Sequence, residues 1–188
     1  QSTNKISEGE ILQLLNIANN NLTEQEYFAV IEYKTATLFK ASALVATILA
    51  NAPTDTELAL IEYANYLGTA FQIIDDILDY TGNAKELGKN IGDDILEGKL
   101  TLPLIYTIQN DSKNSEFIKN IISNSNLVNQ DTIGKIIQIV NNNNAIIYSK
   151  NIATKLIDNA IKKLEVLKNS KYKSALHFIA SESIKRTK

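Results

Sequence analysis

Apolar positions recur every three or four residues along most of the chain, which is the repeat of an α-helix buried on one face. This pattern predicts helices over residues 8–19, 24–50, 55–80, 103–110, 115–123, 131–143, 145–168 and 171–186. No segment shows the alternation of apolar and polar residues that is typical of a β-strand. We therefore predict an all-α protein with a single domain over residues 1–188.

Start and stop signals refine these helices. The S/T-x-x-E pattern of a capping box occurs in SEGE at 7–10, TEQE at 23–26 and TDTE at 54–57, which predicts three helix N-termini. Gly82 is expected to end the third helix, and the four glycines in residues 81–99 predict a long polar loop. Loops of that length within compact domains are usually functional or disordered.

Composition narrows the chemistry that the chain can perform. The 188 residues carry a net charge of −2, contain no cysteine and have one histidine, His177, which we interpret as structural. Disulfides, thiolate metal sites and imidazole zinc clusters are therefore excluded, and the charge argues against a general nucleic-acid binder. No apolar run reaches the roughly 18 residues that a membrane-spanning helix needs. Any metal bound here must be one that prefers oxygen ligands.

The segment DDILD at residues 75–79 is the strongest chemical signal. Helical spacing places Gln72, Asp75 and Asp79 on one face, with Asp76 beside them. Ionised carboxylates at such distances repel each other, and a hard divalent cation such as Mg²⁺ relieves the repulsion. The alternative is a solvated acidic helix end. The flanking isoleucines favour a site, because they place the acids at the edge of a core.

Two groups of lysines accompany these acids. The segment LGKNIGDDILEGKLTLP at 87–103 alternates lysines with glycines, so Lys89 and Lys99 could reach phosphate oxygens from a loop. Upstream, Lys34 and Thr35 lie within an apolar helix, where the alternative for the lysine is an extended side chain that reaches solvent. We interpret the similarity of DDILE at 93–97 to DDILD as coincidence, with the second copy in a loop.

Taken together, four segments resemble the trans-isoprenyl diphosphate synthase family, in the order in which that family carries them. They are GEILQL at 9–14, YKTATLF at 33–39, LGTAFQIIDDILDY at 67–80 and LGKNIGDDILEGKLTLP at 87–103. DDILD is similar to the second aspartate-rich motif of the family, and IKRTK at 184–188 to its basic end. Within the family, the chain looks most like the long-chain, octaprenyl-type synthases.

The resemblance implies an isoprenoid-synthase helical bundle that condenses isopentenyl diphosphate with an allylic diphosphate of the farnesyl type. The product would be a longer all-trans polyprenyl diphosphate, such as a quinone side-chain precursor. It implies Mg²⁺ at Asp75, Asp76 and Asp79, and diphosphate contacts from Lys34, Lys89, Lys99 and Arg186. Thr35 and Gln72 would border the developing cation. A homodimer is implied, in the cytoplasm, at a membrane surface or in an organelle.

One departure from the family pattern is large. The first aspartate-rich motif and the early basic site for isopentenyl diphosphate, which precede GEILQL in the family, are not found in this sequence. We expect the chain to be the C-terminal half or more of a synthase, inactive by itself. Three alternatives stay open: a class I terpenoid cyclase, a non-catalytic subunit or remnant of a heteromeric synthase, and a purely structural helical protein.

Overall fold

The computed structural model describes residues 2–81 and 91–186, and within these ranges the regular structure is entirely helical. The helices are α1 (Ser2–Leu15), α2 (Glu24–Ile31), α3 (Thr37–Leu49), α4 (Thr54–Thr81), α5 (Asp93–Leu96), α6 (Leu102–Asn110), α7 (Ser112–Ser123), α8 (Gln130–Asn142), α9 (Ala145–Lys163) and α10 (Lys171–Ser183). The all-α prediction is confirmed.

Helix α4 is the centre of the bundle, and α3 and α9 pack extensively along it. Its buried residues include Ile73, which is fully inaccessible, and Ile77 one turn later. Helix α9 buries Ala153, Ile157 and Ala160, which are spaced to lie on one face. The alanines at both ends of this stripe leave room for the backbones of α9 and α4 to approach each other closely. The aspartates at the end of α4 are therefore held on a rigid central element.

The predicted helix 24–50 is interrupted. Residues Glu32–Ala36 form a π-helical turn between α2 and α3, and the Thr37 hydroxyl donates to the Glu32 carbonyl at 3.0 Å. Gly68 of α4 lies against this turn, where an added Cβ would be 2.9 Å from the Ala36 Cα. The apolar pattern predicted one continuous helix because a one-residue expansion hardly changes the periodicity. Such turns occur frequently at functional sites.

One of the three predicted capping boxes is present. Thr23 and Glu26 cap each other's backbone at the start of α2, as expected. The prediction at Ser7 is wrong, because α1 begins at Ser2 and Ser7 lies inside it. Thr54 is itself the first residue of α4, and the carboxylate of Glu57 accepts from the Thr47 hydroxyl at 3.5 Å. Because Glu57 contacts α3 and Thr54 lies inside α4, the capping box predicted at these two residues is not formed.

The polar segment after α4 is only partly a loop. DDILE, predicted to be irregular, contains the short helix α5, and its N-cap, Gly92, has a φ of 84°. A residue with a Cβ would be strained at that angle. Residues 82–90, including Lys89 and the predicted stop at Gly82, lie outside the described residues. Among the helices of the described ranges, none has the length and apolar character needed to cross a bilayer.

Candidate functional site

A cavity of about 360 Å³ lies between α1, α2, the π-helical turn, the C-terminal end of α4, the N-terminal end of α5 and the segment that follows α5. Its lining combines acidic, basic and amide side chains with a few apolar ones. Among the residues that the sequence predicted to be functional, it includes Lys34, Thr35, Gln72, Asp75, Asp76, Asp79 and Lys99. Residues from three separate segments of the sequence therefore share one cavity.

Asp75, the first acid of the DDILD segment, has 42% of its side chain exposed. Nη2 of Arg186 lies 3.9 Å from its Oδ1, so the C-terminal segment returns to the end of α4. The guanidinium also stacks over the Phe71 ring, 4.2 Å from the ring centroid. Asp75 thus carries a carboxylate that both solvent and a cation can reach.

Asp76 has a different environment, because its carboxylate is buried and both oxygens accept hydrogen bonds. The Tyr27 hydroxyl donates to Oδ2 at 2.6 Å, and Nε2 of Gln72 donates to Oδ1 at 2.8 Å. Burial, together with the negative charge of Asp94, raises the pKa of Asp76 to about 7. Among the three aspartates, Asp76 is the least available to a ligand in the cavity.

Asp79 joins the end of α4 to α5. Its Oδ2 accepts from the backbone N–H of Asp94 at 3.3 Å, and its own carbonyl accepts from the N–H of Gly92 at 2.9 Å. Burial and the nearby Asp94 charge raise the pKa of Asp79 to about 7. Burial also raises the pKa of Asp94. The cavity therefore brings together carboxyl groups in surroundings that disfavour their ionised form.

The two lysines that line the cavity are held by acids at its edge. Nζ of Lys34 lies 2.8 Å from Oε2 of Glu10 and also donates to Gln13, both on α1. Nζ of Lys99 lies 3.4 Å from Oδ1 of Asp94 and pairs with Glu97. Each ammonium group is thus positioned at the cavity but has a carboxylate partner that a more highly charged anion could displace.

The donor set fits a hard divalent cation that arrives with a phosphate ligand. Asp75 and Asp79 offer oxygen ligands. Burial and the Asp94 charge raise the pKa of Asp79, which indicates a place where added positive charge is favourable. Within residues 2–81 and 91–186, however, no group of three acidic or histidine side chains converges on one point. One or two carboxylates plus substrate phosphate are the coordination that Mg²⁺ commonly accepts.

Several residues of the site were not identified from the sequence. Tyr27 of α2 and Gln13 of α1 line the cavity, and Glu10 of α1 pairs with Lys34 at its edge, but none of the three was assigned a role from the sequence. Asp94 also lines the cavity, where it contacts Lys99. His177 is exposed on α10 and is not among the residues that line the cavity.

Comparison with known proteins gives a consistent result. The Polyprenyl synthetase family model matches residues 1–140. Octaprenyl diphosphate synthase of Haemophilus influenzae is 37% identical over 186 residues, which are 98% of this chain and 56% of that protein. The chain therefore spans about half the length of the curated relatives that it matches.

Solved structures agree over the whole chain. A decaprenyl diphosphate synthase from Rhodobacter capsulatus superimposes with a TM-score of 0.91 at 34% identity, covering 100% of this chain and 57% of the other. A polyprenyl synthase from Caulobacter crescentus, solved with calcium and isoprenyl diphosphate, gives 0.94 at 31% identity, covering 100% and 57%. With the aspartates, lysines and cavity described above, these matches establish that the chain belongs to the polyprenyl synthetase family.

Proposed function

We propose that the protein containing this chain is a prenyltransferase that condenses isopentenyl diphosphate with an allylic diphosphate of the farnesyl type. The observation that carries the proposal is the single cavity shared by the DDILD acids, Lys34 and Lys99. Acids alone would indicate a cation site and lysines alone an anion site. Their presence around one cavity fits a metal–diphosphate complex, in which both charges arrive together.

We propose that Asp75 and Asp79 hold Mg²⁺, because Asp75 is accessible and Asp79 lines the same cavity one helical turn later. When bound, the cation would act as a Lewis acid that withdraws charge onto the departing pyrophosphate. The Asp76 carboxylate, predicted from the motif to be a third ligand, already has hydrogen bonds to both oxygens.

Lys34 and Lys99 would exchange their carboxylate partners for diphosphate oxygens. Glu10, Glu97 and Asp94 can each carry at most one negative charge, whereas a diphosphate carries several, so the exchange is electrostatically favourable. As the carbon–oxygen bond breaks, negative charge grows on the pyrophosphate and these ammonium groups would stabilise it. Lys89 belongs to the same proposal but lies outside the described residues. Arg186, near Asp75, would bind at the outer edge.

Thr35 and Gln72 would border the allylic cation. The Thr35 hydroxyl donates to Oε1 of Gln72 at 2.8 Å, and both side chains line the cavity. Their oxygens carry partial negative charge, which favours a cationic carbon nearby. Isopentenyl diphosphate would then attack through its double bond, and loss of a proton would leave a product one unit longer.

The product class is proposed from the relatives, which are named octaprenyl, nonaprenyl and decaprenyl synthases. We propose a long all-trans polyprenyl diphosphate that serves as a quinone side-chain precursor. A homodimer in the cytoplasm, with peripheral membrane contact for its product, completes the proposal.

Incorporation of labelled isopentenyl diphosphate tests the proposal, with farnesyl diphosphate and Mg²⁺ present. The 188-residue chain is assayed beside the intact protein that contains it, and products are sized by chromatography. We expect elongation by the intact protein and none in EDTA. Consumption of farnesyl diphosphate without isopentenyl diphosphate would instead indicate a cyclase. No turnover alone, with altered product length when a catalytic synthase subunit is added, would indicate a non-catalytic partner.

A further inference from the structure

Tyr27 and Asp76 form a buried pair that connects α2 to the C-terminal part of α4. The two side chains are 49 positions apart in the sequence, and their residues are only 4% and 6% exposed. The phenol oxygen lies 2.6 Å from Oδ2 of Asp76, a short distance typical of a hydroxyl that donates to a carboxylate. A carboxylate in such a place needs hydrogen-bond partners, because burial without them is costly.

Hydrogen bonds connect this pair to Gln72 and Thr35, which line the same cavity. Asp76 Oδ1 accepts from Nε2 of Gln72, one helical turn away on α4, and Gln72 Oε1 accepts from the Thr35 hydroxyl. The four side chains thus form one relay from Tyr27 through Asp76 and Gln72 to Thr35. It fastens α4 to α2 at one end and to the π-helical turn at the other.

The hydrogen bonds of the relay run in one direction, because both oxygens of Asp76 accept and neither donates. A carboxylate can only accept hydrogen bonds, so Gln72 must turn its NH₂ group towards Asp76 and its oxygen towards Thr35. Thr35 has a single hydroxyl hydrogen, which it donates to Oε1 of Gln72. The Thr35 oxygen can then offer only lone pairs, and no hydrogen, to a ligand in the cavity.

We propose that Tyr27 and Asp76 are positioning residues that orient Gln72 and Thr35 so that both present oxygen lone pairs to a cationic carbon in the cavity. The inference rests on the proposed function and assigns Asp76 a role different from metal binding. Asp76 acts through Gln72, and Tyr27 keeps the carboxylate in place by occupying its second oxygen.

Asp76→Asn distinguishes the positioning role from metal binding, because asparagine keeps two groups that can form hydrogen bonds. An asparagine can accept from Tyr27 through Oδ1, and its NH₂ then faces Gln72. Gln72 must turn over to accept that bond, which brings its NH₂ towards Thr35 and reverses the relay. Tyr27→Phe instead leaves one carboxylate oxygen without its donor. Tyr63→Phe is the matched control, since Tyr63 is 5% exposed and donates at 2.8 Å to the Leu176 carbonyl, outside the relay.

The test uses the intact protein at pH 8 and two binding readouts. The first is the preference for an ammonium analogue of the allylic diphosphate, with a protonated amine at the carbon that becomes cationic, over its neutral isostere. The second is the rise in melting temperature on adding Mg²⁺ with inorganic pyrophosphate. We expect Asp76→Asn to reduce the ammonium preference about tenfold, because the oxygens of Gln72 and Thr35 are reoriented. Tyr27→Phe should reduce it by a smaller factor, because the carboxylate still directs Gln72 but loses the contact that holds it in place. Both should keep the pyrophosphate-dependent rise, and Tyr63→Phe should keep both properties.

Two results would overturn the positioning role. An unchanged ammonium preference in Asp76→Asn or Tyr27→Phe would mean that the relay does not set the polarity at the cavity. Loss of the Mg²⁺–pyrophosphate effect in Asp76→Asn alone would make Asp76 a metal ligand. If the wild-type protein binds neither diphosphate analogue nor Mg²⁺–pyrophosphate, the proposed function itself is wrong and the positioning role is excluded with it.

Discussion

The backbone of Gly9 in α1 lies directly against the backbone of Lys34 in the π-helical turn. A Cβ atom added to Gly9 would be 2.5 Å from the Lys34 nitrogen and 2.9 Å from its Cα. No side-chain rotation can relieve contacts between backbones, so only glycine fits here. Helix α1 also supplies Glu10 and Gln13, the two partners of the Lys34 ammonium. The position of this lysine therefore depends on how closely α1 approaches the turn.

Gly9→Ala should displace α1 from the turn and lower the free energy of unfolding by about 1–3 kcal/mol, as overpacking typically does. Pyrophosphate binding should weaken in parallel, because Lys34 moves with the turn. Urea denaturation and calorimetric titration measure the two effects. Gly134→Ala is the control: an added Cβ there meets nothing within 4 Å, and a helix interior gains about 0.5–1 kcal/mol from alanine. Equal stability changes in the two variants would contradict the close-contact argument.

Glu10→Gln should increase pyrophosphate affinity, whereas Lys34→Gln should decrease it. The Glu10 carboxylate competes with the ligand for the ammonium group at 2.8 Å, and both side chains are partly exposed. Exposed pairs contribute about 0.2–1 kcal/mol, so we expect a gain of roughly 1.5- to 5-fold. Calorimetric titration with pyrophosphate and Mg²⁺ measures it. Glu8→Gln, at an exposed position of the same helix, removes an equal charge and should have little effect. An equal gain in Glu8→Gln would indicate general charge reduction instead.

Asp75→Asn should abolish most of the stabilisation that Mg²⁺ and pyrophosphate provide together. A ligand at 100 times its dissociation constant stabilises the folded state by about 2.7 kcal/mol, which a melting curve detects easily. In the absence of ligand, the variant should fold as well as the wild type, since Asp75 is 42% exposed. Asp158→Asn removes an exposed carboxylate from α9 and serves as control. A full ligand effect in Asp75→Asn would exclude this residue as a metal ligand.

In EDTA, the protein should become less stable as pH rises from 5 to 8. Burial and the Asp94 charge raise the pKa of Asp79 to about 7, above the ordinary value of 3.8 that applies when the chain is unfolded. Between these values the folded state binds more protons, so its free energy of unfolding decreases with increasing pH. The Asp79 contribution is complete below pH 4 and lost above pH 7.

Asp79→Asn removes this titration and should make the decrease smaller by about 1–2 kcal/mol, allowing for solvent screening of a partly exposed group. Urea denaturation of both proteins at pH 5, 6, 7 and 8 provides the comparison. Asp158→Asn should follow the wild-type curve. If the difference between the wild type and Asp79→Asn stays constant over this range, Asp79 titrates close to its ordinary pKa.

Much of the fold was predictable because helix formation leaves a local record in the sequence. Periodic burial identified every long helix of the described ranges, and the reciprocal cap at Thr23 and Glu26 was located from four residues. The same reasoning failed at Ser7, where a matching tetrapeptide lies inside α1. The π-helical turn was also missed, because apolar spacing of three and four residues tolerates one expanded turn.

The candidate site, like the fold, was predictable from the sequence only in part. By itself, the sequence determined the spacing of Asp75, Asp76 and Asp79 on one helix, the absence of thiol ligands and the presence of lysines nearby. Only the tertiary structure decided that Asp76 is buried against Tyr27 while Asp75 stays accessible. Adjacent residues on a helix point about 100° apart, so Asp76 is turned towards Tyr27 of α2 while Asp75 stays accessible to solvent. The packing of α2, from a distant part of the chain, decides which of the two aspartates is buried, and no local pattern records that packing.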